Sequence, residues 1–403
     1  MRKRIVDPFT PRRPVNDPEK FCGRPAQIEE VVDTLFQTAN DNPTHTIITG
    51  DRGIGKSSLL LQTKYIAEGK NSLIEKNSID IGGVDSFSFV TSWHDADHEQ
   101  TANDVAKGLL EDLSSSIAKV FKKVDIHLDL AGLLQISRKQ DDVEKTISQT
   151  VNEFIAQIQK AATKAKNENK SGILLCIDEI DRLDENSGIA SFIKLSTEKM
   201  ARERIDNVTF ICAGITGSIQ KMKDDHASIL RTFKEIPIHR LSDDETGEII
   251  REGFQSVKIE YDHSIIKRTF EMSAGFPEPV HLIGSALIST YDGSEIGNDN
   301  LDIAIKNIVG HKRKNEFNDL LIKAGSGKYQ LILEAMASNK DKYVSNKFIS
   351  EKLGLPPNEY STNISNLCDR NIITKVDRGI YEFTDPLLKE YILNFGIIRV
   401  DSE

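Results

Sequence analysis

Short apolar runs alternate with amphipathic helical patterns from about residue 21 to residue 240. Runs that are apolar at successive positions indicate strands buried on both faces, and helices between such strands indicate parallel pairing. We therefore predict an α/β domain with a parallel sheet over 21–240. The stretch 1–20 is rich in proline and has no apolar period, so we predict an extended arm there. The predicted strands are 45–49, 87–91, 172–177, 208–213 and 236–238.

The pattern becomes helical throughout after residue 240. Ser242 and Glu245 have the spacing of a capping box, in which each side chain binds the backbone at the other position. They open a predicted helix, and a second predicted helix ends near Gly275. We predict a small helical lid over 241–308.

Residues 311–403 have a pattern of their own, with three helical segments followed by two short β-branched runs. The two runs flank Asp377-Arg378-Gly379, and a three-residue turn that ends in glycine is typical of a β-hairpin. Three helices followed by a hairpin is the order of a winged helix-turn-helix domain, which we predict for 311–403. The predicted helices are 331–337, 346–353 and 360–370, and the predicted strands are 372–376 and 380–384.

Composition and charge narrow the class of protein. The chain has 403 residues, 38% hydrophobic and 28% charged, which is typical of a globular protein with two or three domains. Its apolar runs are too short to cross a bilayer, and the basic start is not followed by the apolar stretch of a secretory signal. We therefore expect a cytoplasmic protein without a membrane partner. The four cysteines form no C-x-x-C pair and are expected to be reduced, and the net charge of −10 argues against a surface that coats nucleic acid.

A glycine-rich motif follows the first predicted strand and matches G-x-x-x-x-G-K-[ST]. Glycines let the backbone N–H groups point at phosphate oxygens, and the next helix adds the positive end of its dipole. Lys56 is expected to bridge the β- and γ-phosphates of ATP, and Ser57 to bind Mg²⁺. The sequence therefore predicts a site for ATP and Mg²⁺. The expected nucleotide-binding residues of this motif are Gly50, Asp51, Arg52, Gly53, Ile54, Gly55, Lys56, Ser57 and Ser58.

A second motif, ILLCIDE at 173–179, is an apolar run that ends in two carboxylates. Asp178 is expected to bind Mg²⁺ directly or through water, and Glu179 to orient and deprotonate the attacking water. The pair favours hydrolysis over binding alone. We therefore expect an ATPase in which Lys56 and Glu179 are catalytic residues.

Together these motifs resemble the AAA+ class of P-loop ATPases, and within it the signal-transducing (STAND-type) and origin-recognition-like ATPases. The resemblance is carried by FCGR at 21–24, the glycine-rich motif, IDEIDRL at 177–183 and GFP at 275–277. It implies that Arg24 belongs to a box near the adenine. It also implies that Pro277 belongs to a lid element that takes part in nucleotide binding.

The resemblance implies two further catalytic residues. Thr216 takes the place of a polar sensor of the γ-phosphate, with an ordinary turn threonine as the alternative. Arg231 takes the place of an arginine finger that acts in cis or in trans, with a solvated surface arginine as the alternative. Many relatives have a sensor arginine near the place of Glu278, and His281 is the substitute, although a buried core histidine is favoured there.

Two stretches imitate other sites. WHDADHE at 93–99 contains metal-ligand residue types but no spacing that fixes a geometry, so we interpret it as a polar loop after the second strand. GSGK at 325–328 follows no predicted strand and is interpreted as a linker before the first helix of the last domain.

The expected function is an ATP-hydrolysing switch that forms a homo-oligomer and passes its nucleotide state to a protein partner, by analogy in anti-phage or stress signalling. One alternative is a DNA-binding initiator or transposition-type ATPase that acts through the winged helix. Another is a scaffold that binds ATP without turnover. The predicted helix 360–370 has one cation, Arg370, to neutralise phosphates, so a protein partner is favoured over DNA.

Overall fold

The computed structural model describes residues 5–121, 128–136, 143–217 and 233–397. These residues form two compact units, which we call the P-loop unit (14–239) and the C-terminal unit (5–13 with the described residues from Arg240 onward). The N-terminal arm is therefore divided between the two units after Arg13.

The P-loop unit is built on a sheet of five parallel strands in the order β2-β3-β4-β1-β5. Ile177 of β3, Cys212 of β4 and Ile47 of β1 lie in one row across it. Strands β1 and β3 are buried along their whole length because helices cover both faces, as parallel pairing requires. The α/β fold class predicted from the sequence is confirmed. The strands are β1 (His45–Gly50), β2 (Val90–Asp95), β3 (Ile173–Asp178), β4 (Val208–Ile215) and β5 (Phe233–Pro237).

Seven described helices surround this sheet. A capping box of Thr101 and Asp104 begins the fourth of them, and Pro25 occupies the first position of the first helix, where its missing N–H is not needed. Phe154, Phe192 and Phe210 form the aromatic centre of the core, with ring centroids 5.0 and 6.3 Å apart. The helices are α1 (Pro25–Ala39), α2 (Lys56–Ala67), α3 (Ser72–Lys76), α4 (Ala102–Val120), α5 (Ala131–Ile136), α6 (Val143–Asn167) and α7 (Ile189–Glu203).

The C-terminal unit is mainly helical. The predicted capping box of Ser242 and Glu245 is confirmed at the start of its first helix. Gly354 ends the helix Asn346–Leu353 in a left-handed conformation, which glycine favours. The described helices are α8 (Asp243–Ser256), α9 (Ser264–Ser273), α10 (Pro277–Thr290), α11 (Asn298–Asn307), α12 (Lys314–Ala324), α13 (Lys328–Ala337), α14 (Asn346–Leu353), α15 (Ser361–Asp369) and α16 (Pro386–Phe395).

A three-stranded antiparallel sheet lies within the C-terminal unit, in the order β6-β8-β7. The predicted hairpin is present, and Gly379 in its turn has a φ of 72°, which favours glycine. The strands are β6 (Val344–Ser345), β7 (Ile373–Asp377) and β8 (Ile380–Phe383).

Several local predictions need correction. Strand β2 begins three residues later than predicted and ends at Asp95, so Trp93 and His94 belong to a strand and not to a loop. The predicted strand ended where the apolar residues end. In the structure, hydrogen bonding to β3 extends β2 through the polar residues that follow. Of the stretch 325–328 predicted to be a linker, Lys328 already begins α13, and α12 precedes the stretch, so α12 is the first helix after residue 313.

Two chemical features of the described residues complete the fold. All four cysteines are free, and Cys22, Cys176 and Cys212 are buried. In the part of the chain that the structure describes, no helix combines the length and the apolar composition needed to cross a membrane.

Candidate nucleotide-binding site

The glycine-rich loop connects the end of β1 to the start of α2, at the carboxyl edge of the sheet. Ligands of open parallel sheets bind at this edge. Gly53 and Gly55 have φ values of 75° and 101°, which L side chains rarely adopt, so glycine is needed at both positions. A Cβ at Gly50 would lie 2.8 Å from the carbonyl oxygen of Ile238 and 2.9 Å from the Ile54 side chain. The loop therefore has the backbone conformation and the close packing that its glycines predict.

Lys56, the first residue of α2, points back into the loop. Its Nζ donates hydrogen bonds to the carbonyl oxygens of Gly50 at 3.0 Å and Asp51 at 2.9 Å. Burial lowers the pKa of Lys56, and nearby carboxylates oppose this shift. An ammonium group held this way lies where it can bind phosphate oxygens. The opposing carboxylates are those of Asp181, Asp178, Asp51 and Glu179.

Arg24 binds the backbone of the glycine-rich loop. Its buried guanidinium donates hydrogen bonds to the carbonyl oxygen of Ile54 at 3.1 Å and to that of His239. Two backbone segments far apart in sequence are thus fixed by one cation. Both of these contacts are with backbone carbonyl oxygens, and the predicted proximity of Arg24 to the adenine stays a prediction.

Ser58, in the first turn of α2, faces the N-terminal arm. Its Oγ accepts a hydrogen bond from the N–H of Val15 at 3.1 Å, and Gln62 donates to the carbonyl oxygen of Val15 at 2.7 Å. The arm therefore contacts the helix that follows the glycine-rich loop.

Asp51, Arg52 and Gly53 are exposed at the tip of the loop.

Asp178 ends β3 beside the start of α2. The Ser57 hydroxyl donates a hydrogen bond to its carboxylate, and the N–H of Glu179 donates another at 2.9 Å. Burial raises the pKa of Asp178, these two hydrogen bonds lower it, and the charges of Asp95 and Glu179 raise it. The structure thus brings Ser57 and Asp178 together as the sequence predicted.

Glu179 follows directly, with a φ of 54° that is unusual for a residue with a side chain. Its Oε2 accepts from Nε of Arg182 at 2.9 Å, and both side chains are about 40% exposed (43% and 40%). Left-handed non-glycine residues cluster at functional sites, where the surrounding structure holds them. The Glu179 side chain is therefore partly exposed next to the end of β3.

Thr216 follows β4, the strand between β1 and β3. Its N–H donates to the carbonyl oxygen of Gly50 at 3.3 Å, while the residue itself is exposed. Asp181 accepts a hydrogen bond from the N–H of Ile215 at 3.0 Å. Thr216 is therefore adjacent to the glycine-rich loop, and its role as a sensor stays a prediction.

Ser57 and Asp178 suit Mg²⁺, since hydroxyl and carboxylate oxygens are its usual ligands and it is commonly held by one or two carboxylates together with substrate phosphates. Among the described residues, no group of three or more His, Cys, Asp or Glu side chains is arranged to hold a metal ion. In the stretch 93–99, His94 hydrogen-bonds Gln100 at 3.0 Å.

The remaining predicted residues lie elsewhere. Pro277 begins α10 in the C-terminal unit, and Arg231 lies outside the described residues. Glu278 is in the C-terminal unit near Arg313, and burial raises its pKa to about 6. His281 is buried, and its Nδ1 accepts from the N–H of Thr10 at 3.4 Å, in agreement with a core histidine.

Sequence reasoning missed three contacts of the site: Arg24 with Ile54, Arg182 with Glu179, and Asp95 with Asp178. The first joins residues 30 positions apart, for which the sequence carries no local signal. The second has a detectable signal, because oppositely charged residues three positions apart face each other on a helical turn.

Comparison with known proteins agrees with this geometry. Residues 20–207 match the family described as AAA ATPase domain. This part of the chain is therefore an AAA+ ATPase nucleotide-binding domain. Residues 321–392 match a family described as a domain of unknown function (DUF8462). No curated protein matches the chain in sequence.

Solved structures with a similar fold include the Walker-type ATPase paby2304 of Pyrococcus abyssi. The TM-score is 0.59 at 17% sequence identity, over 95% of this chain and 99% of that chain. The ORC2 protein of Aeropyrum pernix, solved in ADPNP–ADP complexes, gives a TM-score of 0.53 at 11% identity over 92% of each chain. At these identities the similarity establishes the fold.

Proposed function

We propose that this protein is an Mg²⁺-dependent ATPase that acts as a molecular switch, forms homo-oligomers and passes its nucleotide state to a partner protein. The observation that carries the proposal is the meeting of Lys56, Ser57 and Asp178 at one edge of the sheet, with Glu179 beside them. The second carboxylate, Glu179, favours hydrolysis over binding alone.

Each residue has a role in this proposal. The loop's N–H groups and Lys56 bind the phosphates. Ser57 and Asp178 would hold Mg²⁺, which would supply positive charge to neutralise the phosphates. Glu179 accepts a proton from a water molecule while the oxygen of that water forms a bond to the γ-phosphorus. At the same time the bond between the γ-phosphorus and the β–γ bridging oxygen breaks. One oxygen of Glu179, Oε2, is paired with Arg182, and this contact competes with the binding of that water.

Contacts within the C-terminal unit support a route from the lid to the last domain. Arg240, the first residue after the P-loop unit, donates two hydrogen bonds to the buried carboxylate of Glu382 on β8, at 2.8 and 2.5 Å. Its guanidinium also lies 4.4 Å from the ring centroid of Phe276, just before α10. A shift of α10 would therefore be transmitted through Arg240 to strand β8 of the hairpin. We propose this pair as part of the path by which the nucleotide state reaches a partner.

The contacts of Arg370 favour a protein partner over DNA. Its guanidinium donates to the carbonyl oxygen of Ala324 at 2.7 Å and lies 4.8 Å from the ring centroid of Tyr329. The single cation of the proposed recognition helix is thus engaged inside the domain. We expect the whole protein to bind random duplex DNA with a Kd no tighter than about 10⁻⁴ to 10⁻⁶ M at physiological salt. Tight, sequence-selective binding would favour the initiator function instead.

Two substitutions test hydrolysis. Glu179→Gln removes the proton acceptor but keeps the shape of the side chain, so ATP binding should persist while phosphate release falls by orders of magnitude. Lys56→Ala should weaken ATP binding itself, because it removes the cation held against the loop. Unchanged phosphate release by the Glu179 variant would exclude it as the base.

Oligomer formation is tested with the same variant. Glu179→Gln with ATP should have a larger particle mass than with ADP, because a neighbour's arginine completes the site only in an oligomer. Arg231→Ala should then lower turnover with little change in ATP affinity. A monomer with ATP at micromolar protein would exclude action of Arg231 in trans and leave action in cis.

A further inference from the structure

We propose that Asp95, the last residue of β2, is a positioning residue of the nucleotide site that binds the water shell of Mg²⁺ alongside Asp178. The inference rests on the proposed ATPase function and extends it to a residue outside both sequence motifs. It concerns this chain's own geometry at the boundary between β2 and β3.

The sheet register brings the two carboxylates together. Asp95 and Asp178 are partners in the parallel pairing of β2 with β3, and each is the last residue of its strand. Neighbouring strands are about 4.8 Å apart, and register partners project from the same face of a sheet. The two acids therefore stand side by side at the carboxyl edge. The N–H of Ala96 donates to the carbonyl oxygen of Asp178 at 3.0 Å and continues the pairing past both.

Trp93 fixes the side chain of Asp95. Its indole Nε1 donates a hydrogen bond to Oδ1 of Asp95 at 2.8 Å. Trp93 is itself anchored, because its backbone N–H donates to Oδ2 of Asp112 on α4, also at 2.8 Å. One oxygen of Asp95 is thus held by the indole, and the other is left to accept hydrogen bonds from water.

The electrostatics agree with a shared cation. Asp95 and Asp178 are like charges at paired positions of adjacent strands, so the two carboxylates repel each other. Within the described part of the chain, no salt bridge includes Asp95. Mg²⁺ keeps several of its waters in protein sites, so an acid beyond direct reach can bind the ion through them. This indirect role is compatible with a direct ligand pair of Ser57 and Asp178.

The structure also supplies its own probe. Trp93 is the single tryptophan of the chain, and its indole touches the carboxylate in question. Its emission should therefore report Mg²⁺ binding without any added label. The experiment uses the full-length protein saturated with a non-hydrolysable ATP analogue and titrated with MgCl₂, followed by Trp93 fluorescence and by calorimetry.

Asp95→Asn keeps the oxygen that accepts from Trp93 and removes the charge. We expect the apparent Kd for Mg²⁺ to rise about tenfold, the lower end of the effect of outer-shell partners on metal affinity. Affinity for the nucleotide without Mg²⁺ should stay unchanged. The matched control is Asp97→Asn, which removes an equal charge two residues further on, where the described hydrogen bond to the carboxylate is donated by the N–H of His98.

The outcomes separate the two proposals. A tenfold loss confined to Asp95→Asn supports the inference. Equal Mg²⁺ affinity of Asp95→Asn and the unmodified protein, or an equal loss in Asp97→Asn, would overturn it and leave the ATPase proposal standing. If the unmodified protein shows no Mg²⁺-dependent binding of the analogue, both fail.

Discussion

Nε of Arg182 lies 2.9 Å from the carboxylate of Glu179, three residues earlier in the chain. The pair spans the short 3₁₀ turn Ile180–Arg182 that follows β3. It occupies the side chain that is proposed to accept a proton from water. The ion pair therefore competes with the productive orientation of Glu179.

Arg182→Ala should raise basal ATP turnover. An ion pair between partly exposed side chains is worth about 0.2–1 kcal/mol, so the rise should not exceed about fivefold. ATP affinity should be unaffected, since Arg182 does not contact the loop in any described hydrogen bond. Steady-state phosphate release with saturating ATP is the measurement. A fall of more than tenfold would mean that Arg182 orients Glu179 for the reaction.

Arg24→Leu should weaken the binding of ATP and GTP equally. The substitution leaves the carbonyl oxygens of Ile54 and His239 without their donor, and an unsatisfied buried group costs about 1–3 kcal/mol. If the loop loses that much support, affinity falls about tenfold, because 1.4 kcal/mol corresponds to a factor of ten. Competition binding with both nucleotides measures the ratio. A changed ATP-to-GTP ratio would instead show that Arg24 recognises the base.

Phe9 of the N-terminal arm fits between two helical glycines of the C-terminal unit. A Cβ at Gly253 would lie 2.3 Å from the ring, and a Cβ at Gly284 would lie 2.5 Å from it. Phe9→Ala should destabilise this unit by about 3 kcal/mol, as expected for a buried phenylalanine. The measurement is urea denaturation followed by circular dichroism.

A double substitution tests the packing of Phe9 between Gly253 and Gly284. Gly284→Ala should destabilise the unmodified protein because it collides with Phe9. In a Phe9→Ala background it should be neutral or stabilising, because alanine favours a helix over glycine by about 1 kcal/mol. Equal effects of Gly284→Ala in both backgrounds would refute the packing of the arm in this slot.

Glu278 should make the C-terminal unit less stable as pH rises. Burial raises its pKa from the ordinary 4.5 to about 6, opposed by the charge of Arg313 and assisted by the charges of Asp385 and Glu316. The protonated form is therefore favoured by folding. Its contribution is fully present below pH 4.5 and is lost as pH rises through about 6.

Glu278→Gln should consequently raise the midpoint of thermal unfolding at pH 8 and leave it nearly unchanged at pH 4.5. A gain of up to about 2 kcal/mol at pH 8 follows from 1.36 kcal/mol per pKa unit. Glu316→Gln serves as the control, since hydrogen bonding to Arg313 lowers the pKa of Glu316 and its loss should be unfavourable at pH 8. Lower stability of Glu278→Gln at pH 8 would show that its charge is needed beside Arg313.

The sequence alone determined the sheet class and predicted residues that the structure brings together at the candidate site. The glycine-rich loop, Lys56, Ser57 and Asp178 are recognisable because their conformations depend on near neighbours: a strand end, glycines with positive φ, and a helix start. The capping box at Ser242 and the hairpin at Gly379 are local for the same reason. A local conformation that depends on neighbouring residues in the sequence can be inferred without knowing the fold.

The tertiary structure decided what distant segments do to one another. The end of β2 was misplaced because its polar residues are held in a strand by pairing with β3, and that pairing alone puts Asp95 beside Asp178. Arg24 against Ile54, Phe9 between Gly253 and Gly284, and Arg240 against Glu382 are likewise contacts between remote positions. Such contacts form because folding buries apolar surface and brings charges into fixed geometry, which no periodicity along the chain records.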